Sequence, residues 1–167
     1  MFTTIKDLQQ AIAGEAEGTQ KILGALTDTS LAQSVAHDHR TLGRMAWHIV
    51  TSLPEMCKHA GLEAFSVSET APLPKSAAEI QRGYAASSKE LLDQIGSKWS
   101  DSTLMEVRNF YGMDWKLGFA MEVLLRHEIH HRGQMTVLMR QAGLKVPGVY
   151  GPAKEGWAGM GMQPPEV

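Results

Sequence analysis

The chain has 167 residues and a formal net charge of −2 at pH 7, which suits a single domain over residues 1–167 and does not favour nucleic acid as a partner. Its one cysteine, Cys57, excludes an internal disulfide and a cysteine-rich metal site. Because no apolar run approaches the roughly 20 residues of a membrane span, and the first residues do not resemble a signal peptide, we expect a cytoplasmic protein without a membrane partner.

The spacing of apolar residues predicts four helices, in chain order over residues 4–26, 41–60, 76–95 and 116–142. Thr41 is a candidate N-cap of the second helix, and Pro54 within that helix predicts a kink or an early end. Ser76 and Glu79 predict a capping box at the start of the third helix. Gly143 follows the fourth helix as a C-cap signal.

Three other segments differ from the helices in composition. Residues 66–76 are polar and contain proline, and they have the length needed to cross the end of a helical bundle. Residues 105–119 alternate in character around Gly112, which predicts a small hairpin or a tight excursion of the chain. From about residue 144 the tail is rich in glycine and proline, so we expect it to be non-helical and to lie over the body of the domain. The whole pattern predicts an all-α fold, a four-helix bundle.

The sequence RHEIHHRGQM, residues 126–135, places three of the seven histidines within five positions of the fourth predicted helix. His127 and His131 are four residues apart, so they lie on one face, within the apolar stripe of that helix. His130 lies roughly 100° away, at the edge of the stripe. Neutral imidazoles are common ligands of zinc, nickel and iron, and an i,i+4 pair can bind one ion. The alternative is two buried histidines that bond to other side chains or to water.

A metal site needs a third ligand, either a carboxylate or one of four other histidines: His37, His39, His48 and His59. His37 and His39 stand in a polar stretch, AHDHR, where solvated loop histidines are the simpler interpretation. His48 and His59 lie on one face of the second predicted helix but ~16 Å apart along its axis, so they cannot bind the same ion. The spacing leaves the choice among these residues open.

Residues 127–131 also match the H-E-x-x-H motif of zinc proteases, in which Glu128 would act on a metal-bound water. The chain has no strand-rich region upstream to hold an extended peptide, which argues against a protease. Glu128 therefore stands only as a candidate catalytic residue. Its structural alternatives are an ion pair with Arg132 at i+4 and a hydrogen bond to a ligand imidazole.

Two stretches together, TLGRMAWHIV at 41–50 and RHEIHHRGQMTVLMRQAGLKVPGVYGP at 126–152, resemble the DinB-like superfamily, which includes bacterial thiol S-transferases. The resemblance covers the chain nearly end to end. It implies an up-up-down-down four-helix bundle with a long crossover, a homodimer, and one divalent metal ion per chain. The ligands that it implies are His48, His127 and His131.

Three histidine ligands leave coordination positions open, as in catalytic rather than structural metal sites. The resemblance implies a reaction of small molecules, in which a low-molecular-weight thiol bound to zinc, nickel or iron attacks an electrophile. Four residues are candidates for orienting groups, with ordinary surface or packing roles as the alternative: Asp114, Arg132, Gln134 and Tyr150. A metal-dependent hydrolase that uses metal-bound water is a second hypothesis, and a metal-binding bundle without turnover is a third.

Overall fold

The computed structural model describes residues 1–166 and contains four α-helices, several short 3-10 helices and one two-stranded sheet. The helices are α1 (Ile5–Gly24), α2 (Leu42–His59), α3 (Ala77–Lys98) and α4 (Leu117–Gln141), and the strands are β1 (Val107–Phe110) and β2 (Met113–Lys116). The fold is therefore mostly helical, and all four helices lie where the apolar spacing predicted them. Val167, the last residue of the expected domain, lies outside the described residues.

The caps at the starts of α2 and α3 differ in origin. The Thr41 hydroxyl accepts a hydrogen bond from the Arg44 amide, so the predicted N-cap of α2 is confirmed. The predicted capping box at Ser76 is wrong, because this side chain makes no cap bond. The carboxylate of Asp28, which is far away in the sequence, accepts from the Ala77 amide at 2.7 Å instead. A tertiary contact therefore replaces the local cap at the start of α3.

Pro54 within α2 and Gly143 after α4 were the two other helix signals in the sequence. α2 continues through Pro54 to His59, so the early end predicted at the proline is wrong. Leu53 and Met56, on either side of the proline, are buried in the core, and their packing holds the helical path. Gly143 has a φ of 75° and follows the last turn of α4, which confirms the predicted C-cap signal.

The main helix contacts are those of α1 with α3 and α4, and of α2 with α3 and α4. Two contacts along each of these pairs show the relative directions of the helices. α1 is antiparallel to α3 and parallel to α4, while α2 is parallel to α3 and antiparallel to α4. For α1 and α3 the contacts join Gln20 to Gln81 and Gln9 to Gly96, and for α1 and α4 they join Phe2 to Gly118 and Glu15 to Arg132. For α2 and α3 they join Trp47 to Gly83 and Ala64 to Gln94, and for α2 and α4 they join His48 to His127 and Glu55 to Tyr111. The order is up, down, down, up, so the up-up-down-down order implied by the resemblance is wrong.

The segment between α2 and α3 explains why these two helices are parallel. The Ser66 amide donates to the Glu90 carboxylate, and the Trp47 indole donates to the Ala71 carbonyl, so this segment runs back along the helices from α3 toward the start of α2. It is a long crossover, as the resemblance implied. The expectation that residues 66–76 cross the end of the helices is wrong, because the segment follows their length.

The hairpin and the tail cover different parts of the helices. The hairpin predicted around Gly112 is confirmed, since β1 pairs antiparallel with β2, and Tyr111 and Gly112 both have the positive φ that a tight turn requires. The tail lies over the body of the protein, with Val146 buried. It contains two short 3-10 helices, Lys154–Gly156 and Ala158–Met160, so the expectation of a wholly non-helical tail is wrong.

The interior combines one apolar core with a few buried polar groups. The core is a single cluster of buried hydrophobic side chains from all four helices. Two charged residues of α4, Glu128 and Arg132, are also buried. Within residues 1–166, no helix combines the length and the apolar character that crossing a membrane would need.

Candidate metal centre

Three imidazoles meet between α2 and α4. His48 Nε2 lies 3.1 Å from His127 Nε2, which in turn lies 3.1 Å from His131 Nε2. One potential ligand atom from each residue lies within 4.8 Å of the others, and all three side chains are half-buried. The i,i+4 pair therefore shares one face of α4, as its spacing predicted, and the third histidine beside it is His48. This group could hold a metal ion.

A short hydrogen bond at the outer nitrogen orients one of the three imidazoles, that of His131. Gln134 Oε1 lies 2.8 Å from His131 Nδ1, and because an amide oxygen can only accept, Nδ1 carries the proton. His131 Nε2 therefore presents a lone pair to the cluster. Ser52 Oγ lies 3.5 Å from His48 Nδ1, at the long limit for a hydrogen bond. His127 Nδ1 is buried and has no hydrogen-bond partner among the described residues.

The surroundings keep these imidazoles neutral. Burial, then the neighbouring histidines, then Arg40, lower the pKa of His48 to about 4 and the pKa of His127 to about 4. Burial also lowers the pKa of His131. Since a metal binds the unprotonated nitrogen, the three side chains are in the form that a ligand requires at neutral pH.

Glu128 belongs to a different set of contacts. Its Oε1 accepts one hydrogen bond from the Thr19 hydroxyl on α1 and one from the Tyr84 hydroxyl on α3, both at 2.5 Å. Within residues 1–166 it makes neither an ion pair with Arg132 nor a hydrogen bond to an imidazole, so both structural roles expected for it are wrong. Burial raises the pKa of this carboxyl. The candidate catalytic residue thus serves the contact of α4 with α1 and α3.

Arg132 and Tyr150 attach the tail to the helices. Arg132 is buried and donates to the Glu15 carboxylate at 2.6 Å, to the Thr19 hydroxyl at 3.0 Å and to the Tyr150 hydroxyl at 2.5 Å. The Tyr150 hydroxyl donates to Glu15 at 2.6 Å. Asp114 lies in β2 of the hairpin. Of the four candidate orienting residues, only Gln134 has a described contact with the cluster.

Four histidines are not members of the cluster, but one of them, His130, packs its ring edge-on against the His131 ring, with centroids 5.1 Å apart. His37 and His39 are exposed in the loop before α2, where His37 pairs with Asp38. The His59 ring packs against the Phe110 ring of the hairpin, with centroids 5.6 Å apart. His130 is exposed at the edge of the α4 face, as predicted, and the Gln134 amide group donates to its Nε2 at 3.0 Å.

A cleft of about 440 Å³ opens beside His131. Most of its exposed wall is apolar, and its polar groups come both from the loop before α2 (His39 and Arg40) and from α4 (His131 and Gln134). The lining residues are Val35, His39, Arg40, Met45, His131, Gln134, Val137 and Leu138. The histidine cluster is therefore reached from an open, largely apolar space.

Two residues near the cluster were missed by the sequence analysis. Ser52 stands four residues after His48, so helical spacing places it one turn along the same face, and this signal was available. Arg40 lies in the loop before α2, and its place at the cleft depends on contacts between distant segments. No local pattern marks it.

Comparisons with known proteins agree on one family. The model of the DinB family matches residues 1–166. The uncharacterised protein YrdA of Bacillus subtilis (strain 168) is 42% identical over 167 residues, which cover 100% of both chains. A crystal structure of a DinB-like protein from Bacillus cereus ATCC 10987 has a TM-score of 0.86 and 44% identity, over 90% of this chain and 100% of that one. The DinB-like protein YjoA from Bacillus subtilis has a TM-score of 0.68 over 86% and 97% of the two chains, and at 14% identity it supports the fold alone.

We expect the metal-free protein to lose stability as the pH falls from about 6.5 to about 4. The pKa values of His48 and His127 in the folded protein are about 4, below the ordinary value of 6.5, so in this window the unfolded chain binds protons that the folded chain does not. Above pH 6.5 both states are neutral at these groups, and their contribution is constant. Urea unfolding of chelator-treated protein across this range measures the slope. The slope should be shallower in His127→Asn, and an equal slope would contradict the assignment.

Proposed function

The chain belongs to the DinB family, and we propose that it is a divalent-metal-dependent enzyme that transfers a low-molecular-weight thiol to an electrophile. The observation that carries the proposal is the convergence of His48, His127 and His131 beside an open cleft. The choice of a thiol comes from the resemblance to the thiol S-transferases of the superfamily. A four-helix bundle is the arrangement we propose for the helices, supported by their pairwise contacts.

We assign His48, His127 and His131 as the ligands of one ion of zinc, nickel or iron. The donor set fits such an ion, because three neutral nitrogens converge and Gln134 fixes the tautomer of one ring. When bound, the ion would acidify a thiol or a water molecule in an open coordination position.

The residues around the cluster favour a thiolate over a water nucleophile. A hydrolase of the H-E-x-x-H type uses its glutamate as a base toward water, whereas Glu128 is engaged by Thr19 and Tyr84 on the side of α1 and α3. A thiol that loses its proton on binding needs no such base.

We expect His48→Ala, His127→Ala and His131→Ala each to lose most of the bound metal, because two imidazoles bind an ion far more weakly than three. The measurement is elemental analysis of untagged protein, with far-UV circular dichroism to confirm that the helices are retained. His37→Ala is the matched control, since its side chain is 95% exposed in the loop before α2, and it should keep its metal. Full retention of metal in His48→Ala would remove that residue from the site.

We expect the metal-loaded protein to conjugate a model electrophile with one of the thiols glutathione, bacillithiol and mycothiol faster than the uncatalysed reaction. His131→Ala should lose the activity. Glu128→Gln should keep much of it, because the glutamine carbonyl oxygen still accepts from Thr19 and Tyr84 while the carboxylate base is gone.

Two results would overturn this reaction. If no thiol is consumed, and esters or amides are cleaved in a manner that Glu128→Gln abolishes, the protein is a hydrolase that uses metal-bound water. If metal binds but neither reaction occurs, the protein binds a metal without turnover. Loss of helicity in a variant, seen by circular dichroism, would disqualify that variant and leave the others as the test.

The homodimer implied by the resemblance is also part of the proposal. We expect light scattering of the purified protein at micromolar concentration to give twice the mass of one chain. The high apolar content, 43% hydrophobic residues, fits a helix face buried beyond one core. A monomer mass at that concentration would contradict the dimer.

A further inference from the structure

The cleft beside His131 contains an unbalanced positive charge. Arg40 is exposed at its wall, and a guanidinium is charged at every physiological pH. Among residues 1–166, no acidic residue lines the cleft. In the part of the chain that the structure describes, Arg40 makes no ion pair with a carboxylate. Its charge is therefore available to a ligand.

The loop that carries Arg40 is anchored at its base. Ser34 and Thr41 form an isolated β-bridge, and the Leu42 amide donates to the Gln33 carbonyl at 2.7 Å. Arg40 is the residue directly before this bridge and before the N-cap of α2. The backbone is therefore anchored immediately after Arg40, which places this residue at the cleft.

The rest of the exposed cleft wall is largely apolar. Val35 and Val137, from the loop and from α4, are 56% and 53% exposed, and both line the cleft with Met45 and Leu138. A ligand body that covers these side chains would remove apolar surface from water, which is favourable. The cleft thus offers one cation and an apolar wall to the same molecule.

We propose that this cleft binds a small organic acid, with its carboxylate at Arg40 and its apolar body against Val35, Met45 and Val137. A single guanidinium matches a singly charged carboxylate, which accepts two parallel hydrogen bonds from it, whereas phosphate sites gather several donors. The inference rests on the proposed function, because it makes this acid a substrate of the site at His131. It names the chemical class of that substrate.

The test is a titration of the full-length protein, as purified and again after metal chelation, with 4-phenylbutyrate and with the neutral isostere 4-phenylbutyramide. Calorimetry or amide chemical shifts report binding. We expect the acid to bind more tightly than the amide. Arg40→Gln should weaken binding of the acid by about twofold to fivefold and leave binding of the amide unchanged, as for one exposed ion pair.

Two further variants make the test specific. Arg108→Gln removes the same charge from the hairpin, which packs near the other end of α2, and it should bind the acid like the wild type. Val137→Asp places a carboxylate on the cleft wall at an exposed position where folding is not threatened, and it should weaken the acid more than the amide.

Equal binding of acid and amide by the wild type, or equal losses in Arg40→Gln and Arg108→Gln, would overturn the inference. The probe is not a thiol and the titration does not depend on turnover, so the two proposals fail separately. If the protein binds the acid through Arg40 but transfers no thiol, the acid-binding cleft is supported and only the proposed reaction is overturned. Thiol transfer without acid binding at Arg40 overturns only the cleft.

Discussion

The rotation of α4 about its own axis is the constraint on which the candidate site depends. α4 carries two i,i+4 pairs, His127 with His131 and Glu128 with Arg132, which are offset by one residue or ~100° around the helix. Glu128 and Arg132 are buried, and leaving such groups without partners is costly, so they must face their polar partners on α1 and α3. Once that face is fixed, the two histidines face α2 and meet His48.

The sequence predicted what depends on local spacing and missed what depends on distant contacts. The four helices, the hairpin and the shared face of His127 and His131 follow from periods of two and 3.6 residues. The cap of α3 comes from Asp28, and helix directions depend on the path of the crossover, so no local pattern contains them. Spacing could not distinguish an interior face toward α2 from one toward α1 and α3, so it did not show which partners Glu128 would meet.

The electrostatics of the site balance two opposing requirements. Burial, then the neighbouring histidines and, to a smaller extent, Arg40 lower the pKa of His48 and of His127, which leaves their nitrogens available to a metal. The positive charge of the Arg40 guanidinium also repels a metal cation. An anion that binds in the cleft would offset the charge of Arg40 and the charge of the metal ion at once. We therefore expect the two affinities to be coupled, so that an anionic ligand raises the affinity for the metal and the metal raises the affinity for the anion.

The segment His-Arg-Gly-Gln, residues 131–134, serves two adjacent faces of α4. His131 belongs to the cluster, and Gln134, three residues later on the same face, fixes the proton on its ring. Arg132 turns toward α1 and donates to the Tyr150 hydroxyl of the tail. The two stretches that resemble the DinB family meet where His48 contacts His127. Within residues 1–166, Glu128 of the overlapping H-E-x-x-H motif makes no hydrogen bond to the cluster and accepts instead from Thr19 and Tyr84 on α1 and α3. The sequence of the protease motif is therefore present, but its glutamate is not directed at the histidine cluster, as the protease chemistry would require.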